Sequence, residues 1–188
     1  DLPSDIFKKR KVSNYAYISD PKEIGGLLRM IDQYKGTYQV GTALKIAPYI
    51  FLRPLELAGL KWSEVDFKDK LIRIDAERMK MGETHLVPLS NQVIKLLENI
   101  KNIETGSIYI FPSPTTSKRH ISPESLRAGL RRMGLSNAEM TTHGFRHMAS
   151  TRLYELGFNG DVIERQLAHG ERNKIKATYN HAQHLDKR

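Results

Sequence analysis

The chain contains no cysteine in 188 residues, which excludes disulfides and thiolate metal sites. No apolar run approaches the roughly 18–20 residues of a membrane-spanning helix, and no secretory signal is recognisable, so no membrane association is expected. Carboxylates are scarce: 21 Asp and Glu stand against 30 Lys and Arg, a formal charge of +9. They form no cluster of the kind a metal phosphohydrolase uses to hold its ions. What is abundant is positive charge, and a surplus of this size favours a polyanionic partner, because each Lys or Arg placed at a phosphate releases condensed counterions. The length suits one domain with a full core, or one with a short appendage.

Residues 1–19 are polar, basic and weakly periodic, and read as a linker or arm. From residue 20 the punctuation becomes helical. Asp20 is an N-cap, Pro21 sits at the first helical position, Glu23 lies in the first turn, and Ile24, Leu27, Leu28 and Ile31 follow at helical spacing up to Gly36. A second helix is expected from Thr37 to Ile50, with Pro48 near its end, and a short third one from Arg53-Pro54. The period then shortens to two. Leu71–Ala76 and Thr84–Ser90 read as strands, preceded by a brief one at Val65–Phe67, which puts Lys80 near the tip of a β-hairpin. Helices resume after Ser90, after Ser122-Pro123, from His143 to Leu156 with Thr142 as cap, from Asp161 to Ala168 and from Lys174 to Gln183. The stretch 106–120 reads as loop with a brief extended segment. The expected fold is mixed α/β, mainly α-helical, with one small antiparallel sheet.

Several fragments carry chemistry. Arg53 precedes a helix N-terminus, a ready anion site, and its guanidinium can grip two phosphate oxygens, with Glu56 one turn on to hold it. His143 and Arg146 lie three apart on a helix and project from one face. His143 and His147 are also an i, i+4 pair, but a hydrolytic zinc helix has Glu after its first His, and Gly144 stands there. No metal or other cofactor is therefore expected, and His147 is assigned a buried hydrogen bond inside the domain. Lys80 is set apart by its place on a hairpin between Met79 and Met81-Gly82. His169 ends a helix, and Tyr179 follows ten positions later. Together these supply two guanidiniums, imidazoles, an ammonium and a phenol, the set that a metal-free phosphodiester transfer requires. A phenol of pKa ~10 attacking a phosphodiester would be expelled in preference to an alkoxide of pKa ~15.7 unless the leaving oxygen is protonated; that gap is roughly 7–8 kcal/mol. Lys80 is the candidate general acid, and His143 can take the phenol's proton or help hold the phosphate.

The order Arg, Lys on a β-hairpin, His-x-x-Arg, His, Tyr resembles the tyrosine recombinases, the phage-integrase family, over residues 20 to 183. The fragments "RPLELAGLKWSEVDF", "MKMGETHLVPLS", "HGFRHMASTRLYELG" and "LAHGERNKIKATYNHA" look most like integrases of prophages and genomic islands. The resemblance implies a recombinase catalytic domain over residues 20–188, with 1–19 leading from a core-binding domain. It implies catalytic roles for Arg53, Lys80, His143, Arg146 and His169, with Tyr179 as nucleophile; Glu56 and His147 keep the supporting roles read from their positions. It further implies double-stranded attachment-site DNA as partner, a homotetramer on DNA, accessory DNA-bending proteins and a cytoplasmic, nucleoid-associated setting. Two other readings are a type IB topoisomerase, which uses nearly the same residues, and a non-catalytic DNA-binding accessory factor, which would have lost some of them. Beyond Tyr179 only Ala182 and Leu185 offer apolar anchors, so little intramolecular docking of the tail is expected.

Overall fold

A computed structural model describes residues 15–103, 105–169 and 183–188. Seven helices and five short strands occur among them: α1 (Pro21–Asp32), α2 (Tyr38–Ile50), α3 (Pro54–Ala58), β1 (Val65–Asp66), β2 (Leu71–Ile74), β3 (His85–Pro88), α4 (Asn91–Lys101), β4 (Pro112–Ser113), β5 (Thr116–His120), α5 (Pro123–Arg132), α6 (Gly144–Glu155) and α7 (Gly160–Gln166). The expected mixed, mainly helical class is the one found.

The centre is α2, which buries residues on every side, among them Val40, Leu44, Ile46 and Ile50, and packs against α1, α3, α4, α5 and α6. Asp20 caps α1 as its sequence context predicts, its carboxylate accepting from the amides of Lys22 (2.8 Å) and Glu23 (3.1 Å). The sheet is antiparallel in the order β1-β2-β3, with Ile72 opposite Val87 and Ile74 opposite His85. Alternation turns Ile72, Ile74, Val87 and His85 together into the core, so a histidine occupies a position where the pattern otherwise places aliphatics.

Several local expectations are corrected. Both main strands are shorter than their sequence signal, so Lys80 lies on a long connection, 75–84, that contains a 3-10 turn at Ala76–Arg78. Residues 112–120 form a second antiparallel pair, β4-β5, with a register shift between Pro112 and Ser113. The N-terminus of α6 is capped from Thr141, whose hydroxyl accepts from the Gly144 amide (2.9 Å), one residue earlier than the Thr142 expected. His147 is half-buried and forms no hydrogen bond among the described residues. It stacks instead on Tyr17, with ring centroids 5.7 Å apart. The expected helix at 174–183 lies outside the described residues apart from Gln183. The end of the tail is anchored after all, by a polar side chain: Arg188 donates to Gln166 Oε1 (2.8 Å), to the Gln183 carbonyl (3.2 Å) and to the Leu86 carbonyl on β3.

Candidate active site

Arg53 is the residue from which α3 begins, with Pro54 supplying the fixed φ of the first turn. Glu56, buried at 5% exposure, turns back on it. One carboxylate oxygen accepts from the Arg53 amide (2.9 Å) and the other from Arg53 Nη1 (2.8 Å). The guanidinium is thereby fixed on one edge, while Nη2 donates to the Ala168 carbonyl (3.1 Å). Glu56 thus holds the guanidinium as its spacing predicts.

Arg146 is held differently. It is 3% exposed, and its two Nη groups donate to the carbonyls of Phe51 and Leu167, while its Nε has no hydrogen-bond partner among the described residues. Burial and the nearby Arg53 push the Arg146 guanidinium down to about 10, against the opposing pull of Glu56 and Glu164, so it remains charged at neutral pH. The turn after α7 joins the two arginines: Leu167 accepts from Arg146 and Ala168 from Arg53. Phe51 and Ala168, one carrying a carbonyl acceptor for each arginine, both adopt left-handed backbone (φ 53° and 47°). Left-handed geometry at non-glycine residues costs on the order of 1 kcal/mol or more and is kept where surrounding contacts enforce it. Phe51 is the left-handed C-cap of α2, and at both residues the carbonyl is held by a guanidinium.

His143 stands at the N-terminus of α6, one turn before Arg146, with its ring 4.5 Å from that of Tyr15 and 5.5 Å from that of His147. Burial first, then the positive charge of Arg146, His147, Arg53 and His169, drive its pKa down to about 4. It is a neutral imidazole at physiological pH, able to accept a proton. His147 is lowered in the same sense by burial and by Arg146. Among the described residues no group of three His, Cys, Asp or Glu is placed to hold a metal ion. His169 is exposed and donates from Nδ1 to Glu164 Oε2 (2.7 Å), which leaves its Nε2 side for a ligand. Lys80 is exposed on the 75–84 connection and lines an open cleft of about 740 Å³ shared with Arg53, Glu56, Lys61, Arg78 and His120. Tyr179 lies outside the described residues.

Five of the six candidate side chains are therefore placed, and they converge: Arg53 and Lys80 on one cleft, Arg146 and His169 against the same turn, His143 in the field of both arginines. Three contributors were missed. His85 is buried in the field of three arginines, held neutral at about 3 by burial and by Arg188, Arg146 and Arg53. Its alternation with Val87 and Leu89 was a legible signal of burial. Glu164, on α7 and five residues earlier, holds His169. Arg78, beside Lys80, binds Glu64 and the Gly59 carbonyl; only its closeness to Lys80 in sequence marked it out from the other basic residues.

The chain is 33% identical to the integrase of Shigella phage Sf6 over 186 residues, covering 98% of this chain and 48% of that protein. It is 40% identical to the prophage integrase IntA of Escherichia coli over 136 residues (72% and 33%), and 38% identical to the integrase of Enterobacteria phage P4 over 176 residues (86% and 40%). It thus spans between a third and a half of the length of these relatives. The fold matches that of XerA recombinase (TM-score 0.67, 18% identity, 92% of this chain and 63% of that one). It also matches a lambda integrase dimer bound to a COC' core site (TM-score 0.65, 19% identity, 95% and 51%). The model of the phage integrase family matches residues 19–185, essentially the whole span over which Arg53, Lys80, Arg146 and the turn joining the two arginines are laid out, and the chain belongs to that family.

Proposed function

We propose that this chain is the catalytic part of a site-specific recombinase that integrates or excises a prophage or genomic island. It would act on double-stranded attachment-site DNA, without metal or nucleotide cofactor, through a covalent 3′-phosphotyrosyl intermediate. The observation that carries the reading is the pair of guanidiniums tied to adjacent carbonyls of one turn, Ala168 and Leu167, beside a neutral His143 and a lysine-lined cleft.

In this reading the Tyr179 oxygen attacks phosphorus and its proton passes to His143, whose basicity the bound phosphate restores by offsetting the charge of Arg146 and Arg53. The bond from phosphorus to the 5′ oxygen breaks as Lys80 delivers a proton to that oxygen, leaving a 5′-hydroxyl and a phosphotyrosyl diester. Rejoining runs the same transfers backwards, so protons balance over the cycle. Arg53 and Arg146 face the charge that grows on the non-bridging oxygens, and His169 adds a contact there. Fixed donors of this kind need no reorganisation when that charge appears. Glu56 and Glu164 orient their cationic neighbours, and His147 packs beside His143. Four protomers on synapsed DNA, with accessory DNA-bending proteins, would couple cleavage to strand exchange in the bacterial cytoplasm.

Incubation with a suicide DNA substrate tests this directly. A covalent protein–DNA adduct is expected, with peptide mapping at Tyr179, and Tyr179→Phe should abolish it while leaving DNA binding nearly unchanged. An adduct at Tyr154 or Tyr109 would overturn the assignment.

A further inference from the structure

Lys80 poses a problem of placement. A general acid must reach within about 3 Å of the oxygen it protonates, yet Asp75, Glu77 and residues 80–84 of its connection are exposed. Two anchors stand immediately before it. Met79 is buried in the core at 6% exposure. Arg78 turns back into the body, where Nη1 donates to Glu64 Oε1 and Nη2 to the Gly59 carbonyl at 2.7 Å.

The receiving side is itself rigid. Glu64 is 8% exposed, and its second oxygen accepts from the Lys61 amide at 2.8 Å, so both carboxylate oxygens are engaged. Gly59 closes α3, the helix that begins at Arg53. A Cβ on Gly59 would lie 2.9 Å from Arg78 Nη2 and 3.2 Å from the Leu55 carbonyl, so the guanidinium approaches this backbone in space that only glycine leaves. A short path of fixed contacts therefore runs from Arg53 through α3 to Gly59 and Glu64, across to Arg78, and on to Lys80. Since both Nη groups of Arg78 are taken up by the protein, the guanidinium is committed to the fold.

We propose that Arg78 is a positioning residue for the leaving-group proton transfer: its bridge to Glu64 and Gly59 sets the 75–84 connection so that Lys80 registers with the phosphate held by Arg53. The proposal rests on the reading of Lys80 as general acid. A 5′-bridging sulfur in place of the leaving oxygen tests both at once, because a thiolate departs without protonation.

Single-turnover cleavage of oxygen and sulfur substrates by Lys80→Ala, Arg78→Ala and Glu64→Gln decides it. On the oxygen substrate Arg78→Ala should be slower by about a hundredfold, the scale of a misplacement near 1 Å. The sulfur substrate should recover most of that loss, as it does for Lys80→Ala. Glu64→Gln keeps the shape of the bridge and removes its charge, and should show a smaller loss, also recovered by sulfur. If Lys80→Ala is recovered but Arg78→Ala loses equally on both substrates, Arg78 is merely structural and the proposal fails while Lys80 stands. If Lys80→Ala is not recovered, Lys80 is not the acid and both fall. Should Arg78→Ala not fold, Glu64→Gln carries the test alone, and either no loss or a loss that sulfur does not recover overturns the proposal.

Discussion

Arg53 and Arg146 point into the same region, but one is held by a carboxylate and the other by carbonyls alone. Glu56 lies against Arg53 with both oxygens engaged, offsetting part of its charge, and Arg53 keeps some exposure, 19% of its side chain. Arg146 is enclosed, with the backbone of Phe51 and Leu167 as its hydrogen-bond acceptors. Glu56 and Glu164 act on Arg146 through their charge, but neither is hydrogen-bonded to it among the described residues, so its guanidinium keeps more of its field in a poorly solvated site. Its signature is visible nearby: Arg146 follows burial as the main cause of the lowered pKa of His143, and Arg53 ranks behind it. The same residue type thus does two jobs. The arginine paired with a carboxylate is a fixed grip, and the one hydrogen-bonded only to carbonyls weighs more on the protonation of His143.

Alanine at either position offers the largest break of this comparison. Each variant should lose about 10²–10³-fold or more in adduct formation, the scale for removing one preorganised donor from a developing oxyanion. Quench-flow measurement of the covalent complex reads it, and near-normal cleavage by Arg146→Ala would remove that residue from the phosphate site.

A smaller and sharper effect is electrostatic. His143 has a folded-state pKa near 4 against 6.5 when exposed. As pH falls below about 6.5 the unfolded chain takes up a proton that the folded one refuses, and stability declines until about pH 4, where the folded imidazole also titrates. His85, at about 3, acts in the same direction over a window extending lower. Arg146→Met should raise the His143 pKa, read by NMR titration, and narrow the acid window of instability. Arg53→Met should raise it less. Equal shifts would contradict the difference between the two arginines.

The smallest expected effect concerns how the two helices begin. Proline opens α3, but α6 opens with Gly144, over which the segment 15–17 passes. A Cβ there would lie 2.4 Å from the Ala16 carbonyl, the same carbonyl that accepts from the Thr141 amide and hydroxyl. Alanine in a helix ordinarily gains up to ~1 kcal/mol over glycine. Gly144→Ala should instead lower the melting temperature by a few degrees and loosen Tyr15 from His143. A gain in stability would show that the strap yields without cost.

Much of this site could be read along the chain. Asp20-Pro21, Arg53-Pro54 and the alternation in 71–74 and 85–88 are local signals, and local signals survive translation into structure. Glu56 was foreseeable from its three-residue distance to Arg53. The short pair β4-β5 was not, because "TSKRH" carries no apolar alternation and its partner strand is two residues long. His147 was expected to hydrogen-bond inside the domain, but Tyr17, far away in sequence, supplies a ring in place of an acceptor. The tail was judged by its apolar anchors, whereas Arg188 docks through its guanidinium, which hydropathy does not register.

The inventory of reactive groups and their order are properties of the covalent chain, because residue type fixes what each side chain can donate, accept or neutralise. Their state is not. That Arg146 is buried against carbonyls rather than a paired carboxylate, and that His143 is neutral, follow from packing of the end of α2, the start of α6 and the turn after α7; that Arg78 is committed to Glu64 and Gly59 follows from the 75–84 connection folding back on the end of α3. Desolvation and neighbouring charge set those protonation states and hydrogen bonds, and both come from residues distant in sequence that only the folded chain brings together.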